Sequence, residues 1–167
     1  MTSLNAVFRR SASCLTLLAL LLVAAVCQAQ EIDEAHLIDL DSFPKAKLDI
    51  RTAKETHHFD IWIAETATQQ QQGLMFVRDL PAARGMLFVA KEPRVFDMWM
   101  RNTYIPLDMV FIGADGRIST IAENTTPHSL AIVSSKVPVG AILELKGGEA
   151  ARRALHAGDK VTWTRSQ

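Results

Sequence analysis

The chain has 167 residues, 49% of them hydrophobic, with 18 Lys and Arg against 18 Asp and Glu. Charge this balanced, with both signs interspersed and no basic stripe, argues against nucleic acid as a partner. Both cysteines, Cys14 and Cys27, fall near the start. A chain that loses its start therefore has no thiol nucleophile, disulfide or thiolate metal site.

Arg9 and Arg10 precede an apolar run, Cys14 to Val26, that only Thr16 interrupts, and Cys27-Gln28-Ala29 follows. That order predicts a signal peptide over 1–29, cleaved near Ala29, and hence a periplasmic or secreted protein. The run is shorter than the ~20 residues a membrane span needs. No second apolar segment could span, so no stable membrane span is expected after cleavage. Residues 30–45 carry Glu31, Asp33, Glu34, Asp39 and Asp41 and read as a solvated acidic arm. Pro44 marks the edge of a single β-rich domain over 46–167, long enough for one core.

From there the dominant period is two. Lys47 to Ile50 alternates, and so does His58 to Ile63, with a polar hairpin loop over 51–57. Thr66 to Gly73 reads as a short helix with a Thr cap and a Gly stop, and its Gln69–Gln72 run is too short for low complexity. Strands are predicted over 85–89, 95–100, 107–112, 117–121, 137–145 and 159–164. Gly113-Ala114-Asp115-Gly116 is a hairpin turn between two of them. Residues 123–136 read as a long loop. Residues 148–156 read as a helix, with Glu149 near its start and Arg152, Arg153 and His156 near its end. The fold class expected is mainly β: a single compact antiparallel β-barrel or sandwich with two short helices.

The stretch Met98-Trp99-Met100-Arg101-Asn102-Thr103-Tyr104-Ile105-Pro106-Leu107-Asp108 is the least ordinary. On a strand, Phe96, Met98 and Met100 share one face, and Asp97, Trp99 and Arg101 the other. Asn102 and Thr103 end that strand, since their side chains compete for backbone hydrogen bonds. The result is a polar rim of Trp99, Arg101, Asn102, Thr103, Tyr104 and Asp108. An aromatic face beside planar polar groups suits a sugar or another small polar ligand. The structural alternative is a turn whose Asn102 and Asp108 only satisfy backbone amides.

Gly73-Leu74-Met75, Gly85-Met86-Leu87-Phe88, Trp99-Met100-Arg101-Asn102-Thr103, Pro106-Leu107-Asp108, Asp115-Gly116 and Leu143-Glu144-Leu145 occur in this order, with Gly147 or Gly148 and then Gly158-Asp159. This set closely resembles domain-of-unknown-function family 192, an uncharacterised family, over roughly Ala46 to Trp163. The resemblance implies a compact β-rich domain, often exported, and no established activity. Relatives usually carry a Glu-Arg pair just before Gly-Leu-Met. Here those positions hold Gln69 and Gln70, and Val77 stands where an Arg is expected, one position before Arg78.

Three other chemistries have residues to support them. Hydrolysis by paired carboxylates would draw on Asp97, Asp108, Asp115 and Glu144, two of them across a cleft. Copper bound by thioethers would use Met75, Met86, Met98, Met100 and Met109, although Met in an apolar strand is ordinary core filling. The histidines lack zinc spacing, and Ser129, Ser134 and Ser135 lack a nucleophile elbow. Asn124-Thr125-Thr126 is a glycosylation sequon that matters only in a secreted eukaryotic protein. Lastly, a non-enzymatic module could dock an unidentified protein by strand addition. No cofactor or metal is expected. A carbohydrate or envelope-derived small molecule at the rim is the leading expectation, with catalysis left open.

Overall fold

The alternation over β1 (Lys45–Arg51) and β2 (Thr56–Ala64) makes an antiparallel hairpin that buries Leu48, Ile50, Phe59, Ile61 and Ile63 on one face. A computed structural model describes residues 32–166 of the chain. The predicted signal peptide over 1–29, with both cysteines, lies outside those described residues. Glu34–Gln167 is one compact unit.

After β2 the chain enters helix α1 (Ala67–Gln72). Thr66 accepts from the Gln69 amide, and the Gln69 side chain returns to the Thr66 amide, a capping box. Gly73 stops the helix at φ +50, a backbone conformation that suits glycine. The other glutamines also have partners. Gln70 donates to the carbonyls of Ala64 and Val89. Gln72 is buried and clamps both backbone groups of Ile38 at 2.7 and 2.8 Å. The segment read as a solvated arm is therefore docked, with Ile38 and Leu40 packed on the core and Phe43 buried.

The remaining strands are β3 (Arg84–Arg94), β4 (Asp97–Met98), β5 (Leu107–Ile112), β6 (Ile118–Thr125), β7 (Val133–Ser134), β8 (Val139–Lys146) and β9 (Lys160–Arg165). Seven of the nine form one sheet in the order β6-β5-β8-β3-β2-β1-β9, and β4 pairs with β7 in a separate ribbon. Two departures from expectation stand out. The β2–β3 pair is parallel, because α1 and the loop after it return the chain to the same end of the sheet. The sheet also curls without closing. Its edges meet at one end, where Ile118 N–H donates to Asp159 O at 2.9 Å and Val161 N–H to Gly116 O at 2.8 Å. Register shifts in the β5–β6 ladder mark bulges, which raise local twist and carry the rest of β6 away. Neither a closed barrel nor a two-sheet sandwich results.

Two apolar clusters follow from this geometry. One lies inside the curl and includes Leu48, Phe59, Ile61, Leu87, Val110, Leu143 and Val161. The other covers the outer face and includes Leu74, Met86, Phe88, Phe96, Met100, Met109 and Ile142. Gly85 leaves no room for a side chain between β3 and β8: a Cβ there would stand 2.6 Å from the Glu144 carbonyl oxygen. The predicted late helix is shorter than its pattern, α2 (Glu149–Arg152), after Gly148 in the left-handed region.

Candidate functional site

Strand alternation holds through the unusual stretch. Phe96 and Met100 are buried and Met98 half-buried, whereas Asp97 is exposed and Trp99 retains 46% of its surface. The chain then turns at Asn102, φ +54, and that turn is tied to two others. Phe76 N–H donates to Asn102 O at 2.8 Å, and His128 N–H to Thr103 O at 3.2 Å. Phe76 and His128 also have positive φ, +63 and +60. Asn tolerates this conformation readily, but for Phe it costs roughly 1–2 kcal/mol.

Tyr104 stands at the centre of the three loops. The Phe76 ring meets it edge-on at 5.8 Å, the His128 ring lies 5.2 Å away, and the Arg78 guanidinium sits 4.6 Å from its centroid. Arg78 also reaches Glu34 at 3.5 Å. Of the residues predicted for the rim, Tyr104, Arg101 and Asn102 are half-buried and Trp99 is exposed just before them. Thr103 is buried, its hydroxyl donating to Arg101 O at 3.2 Å. Asp108 is not on the rim. It is fully buried and turned into the curl, where its carboxylate accepts from the amides of Asn124, Gly148 and Ala150 at 2.8, 3.1 and 2.8 Å. It secures the start of α2, whose Gly148 has no side chain to do so.

Phe76, Arg78 and His128 were not among the predicted site residues. Arg78 carried a signal, its offset from the family pattern. His128 carried none, because its contact with Tyr104 is made by tertiary packing.

Glu144 lies on the outer face, in a row across the sheet from Trp62 through Met86 and Glu144 to Met109. It is 4% exposed, and its Oε2 is buried without a partner, as is Nε1 of Trp62 two strands away. Burial pushes its carboxyl up to about 8. The Gly73 loop lies above it: a Cβ on Gly73 would stand 3.9 Å from Oε2. Asp108 and Glu144 are thus on opposite faces of the sheet and cannot flank one bond. Asp115 accepts from the Arg117 amide in its hairpin turn, and Asp97 is exposed on the ribbon. Met75, Met86, Met100 and Met109 are buried, and the Met100 sulfur accepts from the Thr125 hydroxyl at 3.1 Å. They act as core.

The fold and this cluster define a single-domain β protein with a strained, aromatic rim at one end of a curled sheet. The chain belongs to the DUF192 family, described as "Uncharacterized ACR", whose model matches residues 49–163. Several solved structures are similar, among them the following two. One, from Sinorhizobium meliloti 1021 and described as a candidate transcription regulator, is 43% identical, with a TM-score of 0.72 over 73% of this chain and 95% of that one. The other, a protein of unknown function from Novosphingobium aromaticivorans DSM 12444, is 35% identical, with a TM-score of 0.73 over 76% and 91%. Among curated proteins there is no match.

Proposed function

We propose that the protein binds a small polar ligand, such as a sugar or a cell-envelope fragment, at the rim formed by Trp99, Arg101, Asn102 and Tyr104 with Arg78 and His128. One observation carries this reading: three non-glycine residues with positive φ, from three separate loops, meet around Tyr104. Of the three, Phe76 carries the clearest backbone strain, roughly 1–2 kcal/mol, and such strain clusters where a site must be held in one shape. Trp99 offers an apolar face and the guanidinium and amide groups offer planar donors, the combination a sugar ring uses. Thr103 and Asp108 belong to the frame behind the rim. Transcription regulation, the description given to the Sinorhizobium protein, is not carried over, because the charges here balance and form no basic stripe. The predicted export would place the rim among envelope fragments.

The test is thermal unfolding of Gln30–Gln167 against sugars and cell-wall fragments. A ligand at 100 times its Kd adds about 2.7 kcal/mol, a shift of several degrees for a domain of this size. Tyr104→Ala and Trp99→Ala should remove the shift. A shift that survives both would move the site elsewhere.

A further inference from the structure

Arg78 meets two partners in two different ways. Its guanidinium lies over the Tyr104 ring, 4.6 Å from the centroid, and its Nη2 donates to Glu34 Oε1 at 3.5 Å. Stacking uses the flat face of a guanidinium and leaves the in-plane N–H fork at its edge, which matches the two oxygens of a carboxylate. Glu34 reaches that edge by one long contact, against about 2.7–2.9 Å for a charge-assisted bond. The side chains of Arg78 and Glu34 are 73% and 56% exposed, and a pair this exposed adds little to stability. It is a contact that a better-fitting carboxylate can displace.

Glu34 belongs to the acidic arm, far from Arg78 in sequence. From Ile38 onward the arm is anchored: Gln72 clamps Ile38, Ile38 and Leu40 pack on the outer cluster, and Phe43 is buried. The single 3-10 turn ahead of that anchor, Glu34–His36, buries none of its own residues. The arm therefore delivers a carboxylate to the rim without packing its side chains there. The rim has the charge to receive one. Trp99, Arg101, Asn102, Tyr104, Arg78 and His128 include two guanidiniums and no acid. Asp79, next to Arg78 in the chain, is engaged by Lys146 Nζ at 3.0 Å.

We infer that the edge of Arg78 is a carboxylate subsite of the rim, which the chain's own Glu34 occupies, and that the rim's ligand is an acidic sugar rather than a neutral one. The inference rests on the reading of the rim as a binding site and names the class of ligand it takes. The arm then acts as a built-in competitor. Its carboxylate holds the subsite weakly and yields it to a sugar whose ring also meets the aromatic face and whose carboxylate engages the whole fork.

Tyr104 is the only tyrosine in the sequence, so the ring signals of tyrosine-labelled protein report on the rim alone. The experiment follows them by NMR in Gln30–Gln167, which keeps the whole compact unit Glu34–Gln167. The probes are N-acetylmuramic acid and N-acetylglucosamine, the same ring with and without a lactyl carboxylate. The acid should shift Tyr104 at concentrations about tenfold lower than the neutral sugar, the margin of a charged hydrogen bond. Glu34→Gln should tighten the acid by about two- to fivefold, the share of an exposed pair, and leave the neutral sugar unchanged. Arg78→Gln should make the two sugars equal. Both positions are exposed, so an unchanged melting temperature will show that these variants fold. Equal response of the wild type to both sugars, or binding of the acid that Glu34→Gln does not tighten, overturns the inference and leaves the rim reading standing. Tyr104 signals that move with neither sugar, in wild type and Glu34→Gln alike, overturn both.

Discussion

Asp108 and Glu144 are both buried acids, on neighbouring paired strands one register step apart, and the fold treats them in opposite ways. Asp108 faces into the curl and accepts three backbone amides, so its burial costs little and fixes two loops. Glu144 faces outward beneath the Gly73 loop, between two methionines, with Oε2 unpartnered. The pleat alone produces this contrast, since adjacent positions on one ladder emerge on opposite faces. Burial therefore does not decide what an acid does. A satisfied carboxylate is a structural part, whereas an unsatisfied carboxyl lowers stability and needs an explanation beyond packing.

The largest effect expected from breaking this contrast is at Asp108. Asp108→Ala leaves one buried and two part-buried amides without their acceptor and should cost about 3–5 kcal/mol, read from denaturant midpoints. Asp108→Asn keeps one acceptor and turns an NH₂ towards a donor, so it should lose roughly half as much. Neither should alter ligand response at the rim once the protein is folded. A folded Asp108→Asn protein with an altered response would return Asp108 to the site.

The next effect has the opposite sign. Glu144 has a carboxyl pKa raised from 4.5 to about 8 by burial, so the folded state holds a proton that the unfolded chain has released. Stability contributed by that proton is complete below pH 4.5 and is lost as pH rises through 8. Between pH 5 and pH 8 the loss is on the order of 3 kcal/mol. Glu144→Gln should abolish it, making the variant more stable than wild type at pH 8 and nearly equal at pH 5. A wild-type minus variant difference that is flat with pH would mean that Glu144 has a partner in solution.

How much of this was legible beforehand differs between the two faces. The strand period identified β1, β2 and β5, and the cap and stop residues identified α1, because those signals are local. The hairpin at Asp115-Gly116 was legible for the same reason. The parallel β2–β3 pair and the incomplete closure were not, since no local pattern records which strands become neighbours. The rim turn was visible from Asn102 and Tyr104. Phe76, Arg78 and His128, which complete it, come from loops that only tertiary packing assembles. Asp108 was misplaced on the rim because its side of the strand depended on knowing that Leu107 packs outward. Glu144 was known to oppose Leu143 and Leu145, but whether its face met solvent or a covering loop could not be read.

Glu149 sharpens the comparison at smaller scale. Burial raises its carboxyl pKa, but hydrogen bonds from Arg152 and Arg153 outweigh that and hold it below the usual value. Its contribution is therefore present above pH 4.5 and lost as pH falls through the depressed folded pKa, the reverse of Glu144. Glu149→Gln should cost about 1–2 kcal/mol at pH 7 and little in acid, measured on the same denaturant series.

The smallest effect tests whether acceptor supply governs the outcome generally. Gln69 Oε1 accepts from the amides of Glu65 and Thr66, both at 3.0 Å, at the start of α1. A charge placed there meets two donors and the positive end of the helix, although it also stands near Glu65. Gln69→Glu, which restores one member of the pair usual in the family, should therefore change stability by no more than ~0.5 kcal/mol. An ionised carboxylate would then be tolerated at position 69 and costly at 144. The difference lies in the two amides that receive it, since Gln69 is half-buried and hydrogen-bonded, whereas Oε2 of Glu144 is enclosed without a partner. If Gln69→Glu instead changed ligand response while stability stayed constant, the first turn of α1 would be part of the binding surface, and the rim would extend beyond the three loops around Tyr104.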